Sequence, residues 1–118
     1  MRRGEIYWAN LVPRSGSGQK GRRPVVVVSR DDFNRIQAWR SLIVVPISTS
    51  PTQAGRGPTA IPIPGGAGGL GRASVALCHQ VTTIDRVKFE KRIGILPADL
   101  LDDVEAGLRA ALDLGDER

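Results

Sequence analysis

Gly18-Gln19-Lys20-Gly21-Arg22-Arg23-Pro24 runs straight into Val25-Val26-Val27-Val28-Ser29, a basic, glycine-bearing loop followed at once by a β-branched run. Such a run reads as a strand buried on both faces, and Pro24, having no N–H, suits only its first position or an edge. Arg23 therefore stands where the chain becomes rigid, which suits a guanidinium that must meet a phosphate in fixed geometry. The same place also suits a strand-end arginine that pairs with a carboxylate or faces water. The rest of the chain has to decide between the two.

On either side the sequence breaks into short strands: Glu5–Leu11 with Ile6, Tyr7 and Trp8, then Ser41–Ile47, Thr59–Ile63, Ser74–Cys78 and Arg92–Leu96. Pro62 makes the segment after Thr59 an edge strand. Turn residues separate them at 13–21, 31–32, 51–58 and 64–69. Strands so spaced, with no alternating helices, predict a mainly β fold built as a small barrel rather than a parallel α/β sheet. One helix follows Pro97, with Leu100, Leu101, Val104, Leu108, Ala111 and Leu112 in a single stripe for the barrel and Gly115 as its stop. Asp99, Asp102, Asp103 and Glu105 lie in its first turns, where the helix dipole favours anions, so their acidity needs no catalytic explanation. No metal site is expected there.

The 118 residues make one domain, 1–118, with no repeat and no linker. The single cysteine, Cys78, rules out an internal disulfide framework and reads as a small buried hydrophobe in a reducing compartment. No apolar run nears the ~18 residues of a membrane span, and the start Met1-Arg2-Arg3-Gly4-Glu5 leads into a strand pattern. A soluble cytoplasmic protein is expected, with no membrane partner. The net charge of +5 is polarised: residues 1–72 carry 11 Lys/Arg against 3 acids, a net of +8, and residues 73–118 carry 6 against 9, a net of −3. A basic, arginine-rich first part is the footprint expected for phosphate backbones.

Arg3-Gly4-Glu5-Ile6-Tyr7-Trp8, Gly21-Arg22-Arg23-Pro24 with its valine run, Val44-Val45-Pro46-Ile47-Ser48, the segment from Ser74 to Asp85 and Arg92-Ile93-Gly94 together resemble the MazF/PemK toxins, in order and over nearly the whole chain. The resemblance implies an SH3-like β-barrel with a C-terminal helix, a homodimer, and a toxin of a type II toxin–antitoxin pair. It further implies sequence-specific cleavage of single-stranded RNA, messenger RNA foremost, with no metal and no cofactor, to a 2′,3′-cyclic phosphate and a 5′-OH.

By the same resemblance Arg23 matches the catalytic arginine and Ser48 the hydroxyl residue at the end of the third strand, with Thr49 as the other candidate hydroxyl. A fixed guanidinium can stabilise charge on the phosphorane oxygens, and a serine hydroxyl can hold the scissile phosphate in line. Arg23 is a poor base, since guanidinium stays protonated in proteins. Relatives often carry a Glu in the loop before the arginine, where this chain has Gly16-Ser17-Gly18-Gln19, so a mechanism that relies on that carboxylate fails here. They also often carry an acid before the Gln of the fifth segment, where this chain has His79, a candidate proton carrier or a hydrogen-bonded structural histidine.

Arg14, Gln19, Lys20, Arg22 and Gln80 complete the expected RNA surface. Trp39, between Arg35 and Arg40, reads as an anchor for the core or a dimer contact, with base stacking the alternative. The partner implied is a cognate antitoxin whose acidic segment folds along the basic groove. Two rivals share these features: a CcdB-like gyrase-binding toxin and a non-catalytic small-barrel RNA-binding module. The first ends in an exposed Trp-Gly-Ile tail, whereas this chain ends Leu114-Gly115-Asp116-Glu117-Arg118.

Overall fold

The structure, a computed structural model, describes residues 1–11, 21–50 and 57–115. In chain order it contains β1 (Glu5–Leu11), β2 (Gly21–Val27), α1 (Asp31–Asn34), β3 (Ser41–Ser48), β4 (Ala60–Ile63), β5 (Ser74–Leu77), β6 (Thr82–Asp85), β7 (Phe89–Ile95) and α2 (Ala98–Leu112). The strands form one antiparallel sheet in the order β4-β5-β3-β2-β1-β7, with β6 added along β3. The mainly β fold with a C-terminal helix is as expected. Among the described residues no ladder joins β4 to β7, so the sheet is open and "barrel" describes it only loosely.

β2 begins at Gly21, earlier than the valine run suggests, so Pro24 is its fourth residue and not its first. The position is tolerated because Pro24 pairs only with Trp8 of β1, while the ladder to β3 starts one residue later at Val25. On its β3 side Pro24 is thus at an edge. β6 and α1 were not expected, the second being a single turn at Asp31–Asn34.

Period-two alternation sorts the core into two layers. Ile6, Val26, Val45 and Ile47 face one side, with Leu96 and with Val104 of α2; Ala9, Val25, Val27, Leu42 and Val44 face the other. Val25, Val26 and Val27 are fully buried, each contributing roughly 1.5–3 kcal/mol relative to exposure. This double burial makes the second half of β2 stiff, directly after Arg23 and Pro24.

α2 opens after Pro97 and closes at Asp113, which adopts the left-handed conformation (φ 56°) two residues before the expected stop at Gly115. Val104 is fully buried and Leu100, Leu108 and Ala111 pack on the same layer, but Leu112 is 53% exposed and does not belong to the buried stripe. Gly107 sits against the sheet so closely that a Cβ there would lie 2.7 Å from Cys78 Sγ and 2.9 Å from Ile61 Cγ1. Cys78 is buried as expected, its Sγ 3.5 Å from the Val104 carbonyl, and burial pushes the thiol up to about 11. At the N-terminus the buried Glu5 carboxylate accepts hydrogen bonds from the Arg2 N–H (2.7 Å), the Tyr7 hydroxyl (2.9 Å) and Arg92 Nε (2.9 Å). Burial alone would raise its titration, but these donors outweigh it and hold the carboxyl below the usual range.

Candidate functional site

The last β2–β3 pair is Val25 with Pro46. Arg23 lies two residues before Val25 and Ser48 two residues after Pro46, so continuation of the same antiparallel register sets them opposite one another. Alternation places both on the Ala9–Val25–Val44 face. Arg23 is half-buried beside Ala9, its cross-strand partner on β1. Ser48 is 4% exposed, and its Oγ accepts the Ser50 N–H at 3.0 Å, which fixes the oxygen while leaving the O–H to donate. Thr49 follows the strand end and is exposed.

On its other flank β3 pairs with β6 over Ser41–Val44 and with β5 at Ile47 and Ser48, and a turn of 3-10 helix, Cys78–Gln80, fills the gap beside Val45 and Pro46. A proline inside a central strand is therefore placed where the ladder is already interrupted. His79 on this turn is exposed, with the Gln80 amide nitrogen 3.4 Å from its Nε2. Gln80 Oε1 is buried and, among the described residues, accepts no hydrogen bond. An orphan buried carbonyl costs about 1–3 kcal/mol, so it is a poised acceptor for a donor brought from outside.

Arg22 points the other way from Arg23. Its register partner is Asn10, and its guanidinium lies 4.2 Å from the Trp8 ring centroid while Nε donates to Glu90 Oε1 at 2.6 Å. Both partners are half exposed, so the pair adds at most about 1 kcal/mol. The structure thus brings Arg23, Ser48 and the Cys78–Gln80 turn to adjoining strands and sets Arg22 on the opposite face. Trp8 and Glu90 were not anticipated; the two-residue alternation of β1 and β7 is the signal that places them beside Arg22. Arg14, Gln19 and Lys20 lie outside the described residues. Among the described residues no three His, Cys, Asp or Glu converge as metal donors would, and no helix is long and apolar enough to cross a membrane.

Trp39 does not anchor the core: it is 46% exposed and stacks on Phe33, ring centroids 4.6 Å apart and planes 13° from parallel. The segment carrying both rings is held by Arg86, which donates to the carbonyls of Trp39 (2.6 Å), Asn34 (2.8 Å) and Ile36 (2.9 Å). The clamp also satisfies carbonyls at the end of α1 that have no helical partner.

Over residues 2–112 the chain matches the sequence profile of the PemK-like, MazF-like toxin of type II toxin–antitoxin systems. The endoribonuclease MazF6 of Mycobacterium tuberculosis is 36% identical over 112 residues, 95% of this chain and 96% of its own. The endoribonuclease EndoA of Bacillus subtilis is 34% identical over 116 residues, 98% and 97% of the two chains. The crystal structure of MazF from Deinococcus radiodurans superposes with a TM-score of 0.79 at 25% identity over 96% of each chain. A MazE–MazF complex from the same organism superposes with a TM-score of 0.72 at 26% identity, covering 98% of this chain and 97% of that one.

Proposed function

Because this chain belongs to the PemK-like, MazF-like family of type II toxins, we propose that it is an endoribonuclease that cleaves single-stranded RNA at a defined sequence without a metal ion. The RNA's own 2′-OH attacks the scissile phosphorus, the 2′-O–P bond forms and the P–O5′ bond breaks. The products are a 2′,3′-cyclic phosphate and a 5′-OH, the proton leaving the 2′-oxygen and another reaching the 5′-oxygen.

The observation that carries this reading is the placement of Arg23 and Ser48 on one face at the end of the β2–β3 ladder. Arg23 is the group for charge developing on the non-bridging phosphate oxygens, where paired N–H donors act before any reorganisation. Ser48, its oxygen already fixed by the Ser50 N–H, donates to the phosphate and keeps it in line. The orphan carbonyl of Gln80 is suited to accept from a base N–H or a ribose hydroxyl of the bound strand. His79 is an exposed imidazole on the same turn and the candidate to carry a proton.

The chain works as a homodimer, and its regulator is an antitoxin, the kind of partner with which an endoribonuclease from Mycobacterial species is seen in complex. An acidic antitoxin segment lies along the surface that RNA uses, drawn by the +8 balance of residues 1–72, and charge reversal at Arg14 and Lys20 should weaken both interactions together.

The test is incubation of the purified chain with long unstructured RNA in EDTA, followed by sequencing of the new 5′ ends and analysis of the 3′ termini. Cuts at a fixed word with cyclic phosphate ends, absent in Arg23→Ala, support the proposal. Shifted but intact RNA points to a binding module, and inhibition of gyrase to a CcdB-like toxin.

A further inference from the structure

We propose that the outer face of the Arg22 guanidinium, seated over Trp8, is a stacking platform for an RNA base next to the scissile nucleotide, an assignment that rests on the endoribonuclease reading above and adds a second subsite to it. The chain has five aromatic residues. Four pair ring to ring, Tyr7 with Phe89 and Phe33 with Trp39, and among the described residues only Trp8 has a guanidinium as its sole ring partner. The Arg22 guanidinium lies 4.2 Å from the Trp8 ring centroid, and Glu90 Oε1 fixes its Nε at 2.6 Å. Its terminal nitrogens make no hydrogen bond among the described residues, and the side chain is 54% exposed.

As a stabiliser this arrangement is weak. Ordering an exposed arginine costs side-chain entropy, and a half-exposed ion pair with one cation–π contact offsets little of it. As a platform it is ready in advance. Guanidinium planes are among the surfaces on which proteins stack splayed RNA bases, and a planar group already ordered by two partners loses little more on binding. Asn10, the register partner of Arg22, is exposed beside it and carries an amide that both donates and accepts, the chemistry needed at the edge of a base.

The topology brings this platform within reach of a strand held at Arg23. Arg22 and Arg23 are consecutive residues on opposite faces of β2, and β2 forms no ladder with β3 before Val25. β3 ends at Ser48, so the β2 edge beside Arg22 is open on that side. A single strand whose phosphate lies between Arg23 and Ser48 can cross this edge and lay a neighbouring base on Arg22. The Arg22–Glu90 pair is neutral as a whole, so the contact supplies stacking rather than net attraction for phosphate. An acidic antitoxin segment, drawn by net charge, has no matching reason to settle there.

The test uses the full chain and a single-stranded oligonucleotide carrying the cleaved word, with a 2′-deoxyribose at the cut site so that it binds without reacting. The double variant Arg22→Leu, Glu90→Gln removes the guanidinium, keeps the net charge at +5 and alters only half-exposed side chains, so the far-UV spectrum should be retained. It is expected to bind the oligonucleotide roughly 10-fold more weakly, and to cut ordinary RNA with a raised KM and an unaltered kcat. Abasic sites placed one at a time beside the cut should locate one position whose removal weakens binding to the unmodified chain by the same factor and to the variant not at all. In a Trp39→Phe chain, Trp8 emission should change on binding the intact oligonucleotide and not that abasic one. Equal affinity of variant and unmodified chain, or losses that add at every abasic position, overturns the platform and leaves the endoribonuclease standing. Loss of antitoxin binding with RNA affinity unchanged also overturns it and assigns the surface to the antitoxin. A chain that neither binds nor cuts RNA removes the endoribonuclease reading and the platform with it.

Discussion

Arg23 and Ser48 stand one same-face step beyond the last β2–β3 pair, Val25 with Pro46, each at the point where its strand leaves the ladder. A charge and a hydroxyl are thereby held by a buried valine scaffold rather than by loop residues. Substrate groups placed between them meet donors whose positions are set by folding.

Replacing either residue should therefore remove activity and spare the fold. Arg23→Ala is expected to lose on the order of 10²–10³-fold in cleavage rate, and Arg23→Lys to fail as well, because lysine keeps the charge but not the forked donors. Ser48→Ala should show a comparable loss, with about 1 kcal/mol of stability lost along with the Ser50 N–H bond. Single-turnover cleavage read beside thermal melts separates the two effects; a nearly silent Ser48→Ala would move the hydroxyl role to Thr49.

His79 is exposed and makes no buried bond, so His79→Ala should leave the melting midpoint almost unchanged. Its effect belongs in the rate: a loss on the order of 10²-fold with a flattened acid limb of the pH profile. An unchanged profile would dismiss it as the proton carrier.

Gly107→Ala ought to stabilise an isolated helix by about 1 kcal/mol. In this fold it is expected to destabilise by roughly 1–3 kcal/mol, because the added methyl runs into Cys78 Sγ and Ile61. Thermal unfolding of Gly107→Ala, Cys78→Ala and the double variant should show a positive rescue, the smaller side chain making room for the methyl.

Glu5 titrates below its unfolded value, so the stability it contributes is present above the unfolded carboxyl range near pH 4.5 and is lost as pH falls through the folded value. Glu5→Gln should be less stable at neutral pH and lose less on acidification, with a residual acid slope from Asp31, also lowered by its bond from the Arg3 N–H. Tyr7, pushed up to about 12 by burial and by its bond to Glu5, has the opposite sign. Its contribution is whole below about pH 10 and disappears as pH rises toward 12. Denaturant midpoints measured across both ranges check each sign.

The strands built on β-branched runs were legible because burial on two faces leaves a composition that few other structures use. β6 was not, since Thr82-Thr83-Ile84-Asp85 is half exposed and gains its strand conformation from β3 rather than from its own pattern. Arg23 was recognisable from its place at the head of the valine run, whereas its relation to Ser48 depends on a register that only the assembled sheet defines. Trp39 shows the limit most clearly. An aromatic before a strand signals contact, but a sequence does not say whether that contact lies inside one protomer, and here the indole faces outward.

β1, the first strand made, lies between β2 and β7, and the layer beneath it is closed by Leu96 and Val104. A ribosome adding residues at ordinary rates needs roughly 4 to 14 s after Arg23 to reach Ile95. During that interval the nascent strand has no completed sheet to hold its arginine in place. The sheet that stations Arg23 is therefore complete only once β7 has been made, so cleavage activity is expected to appear late in synthesis.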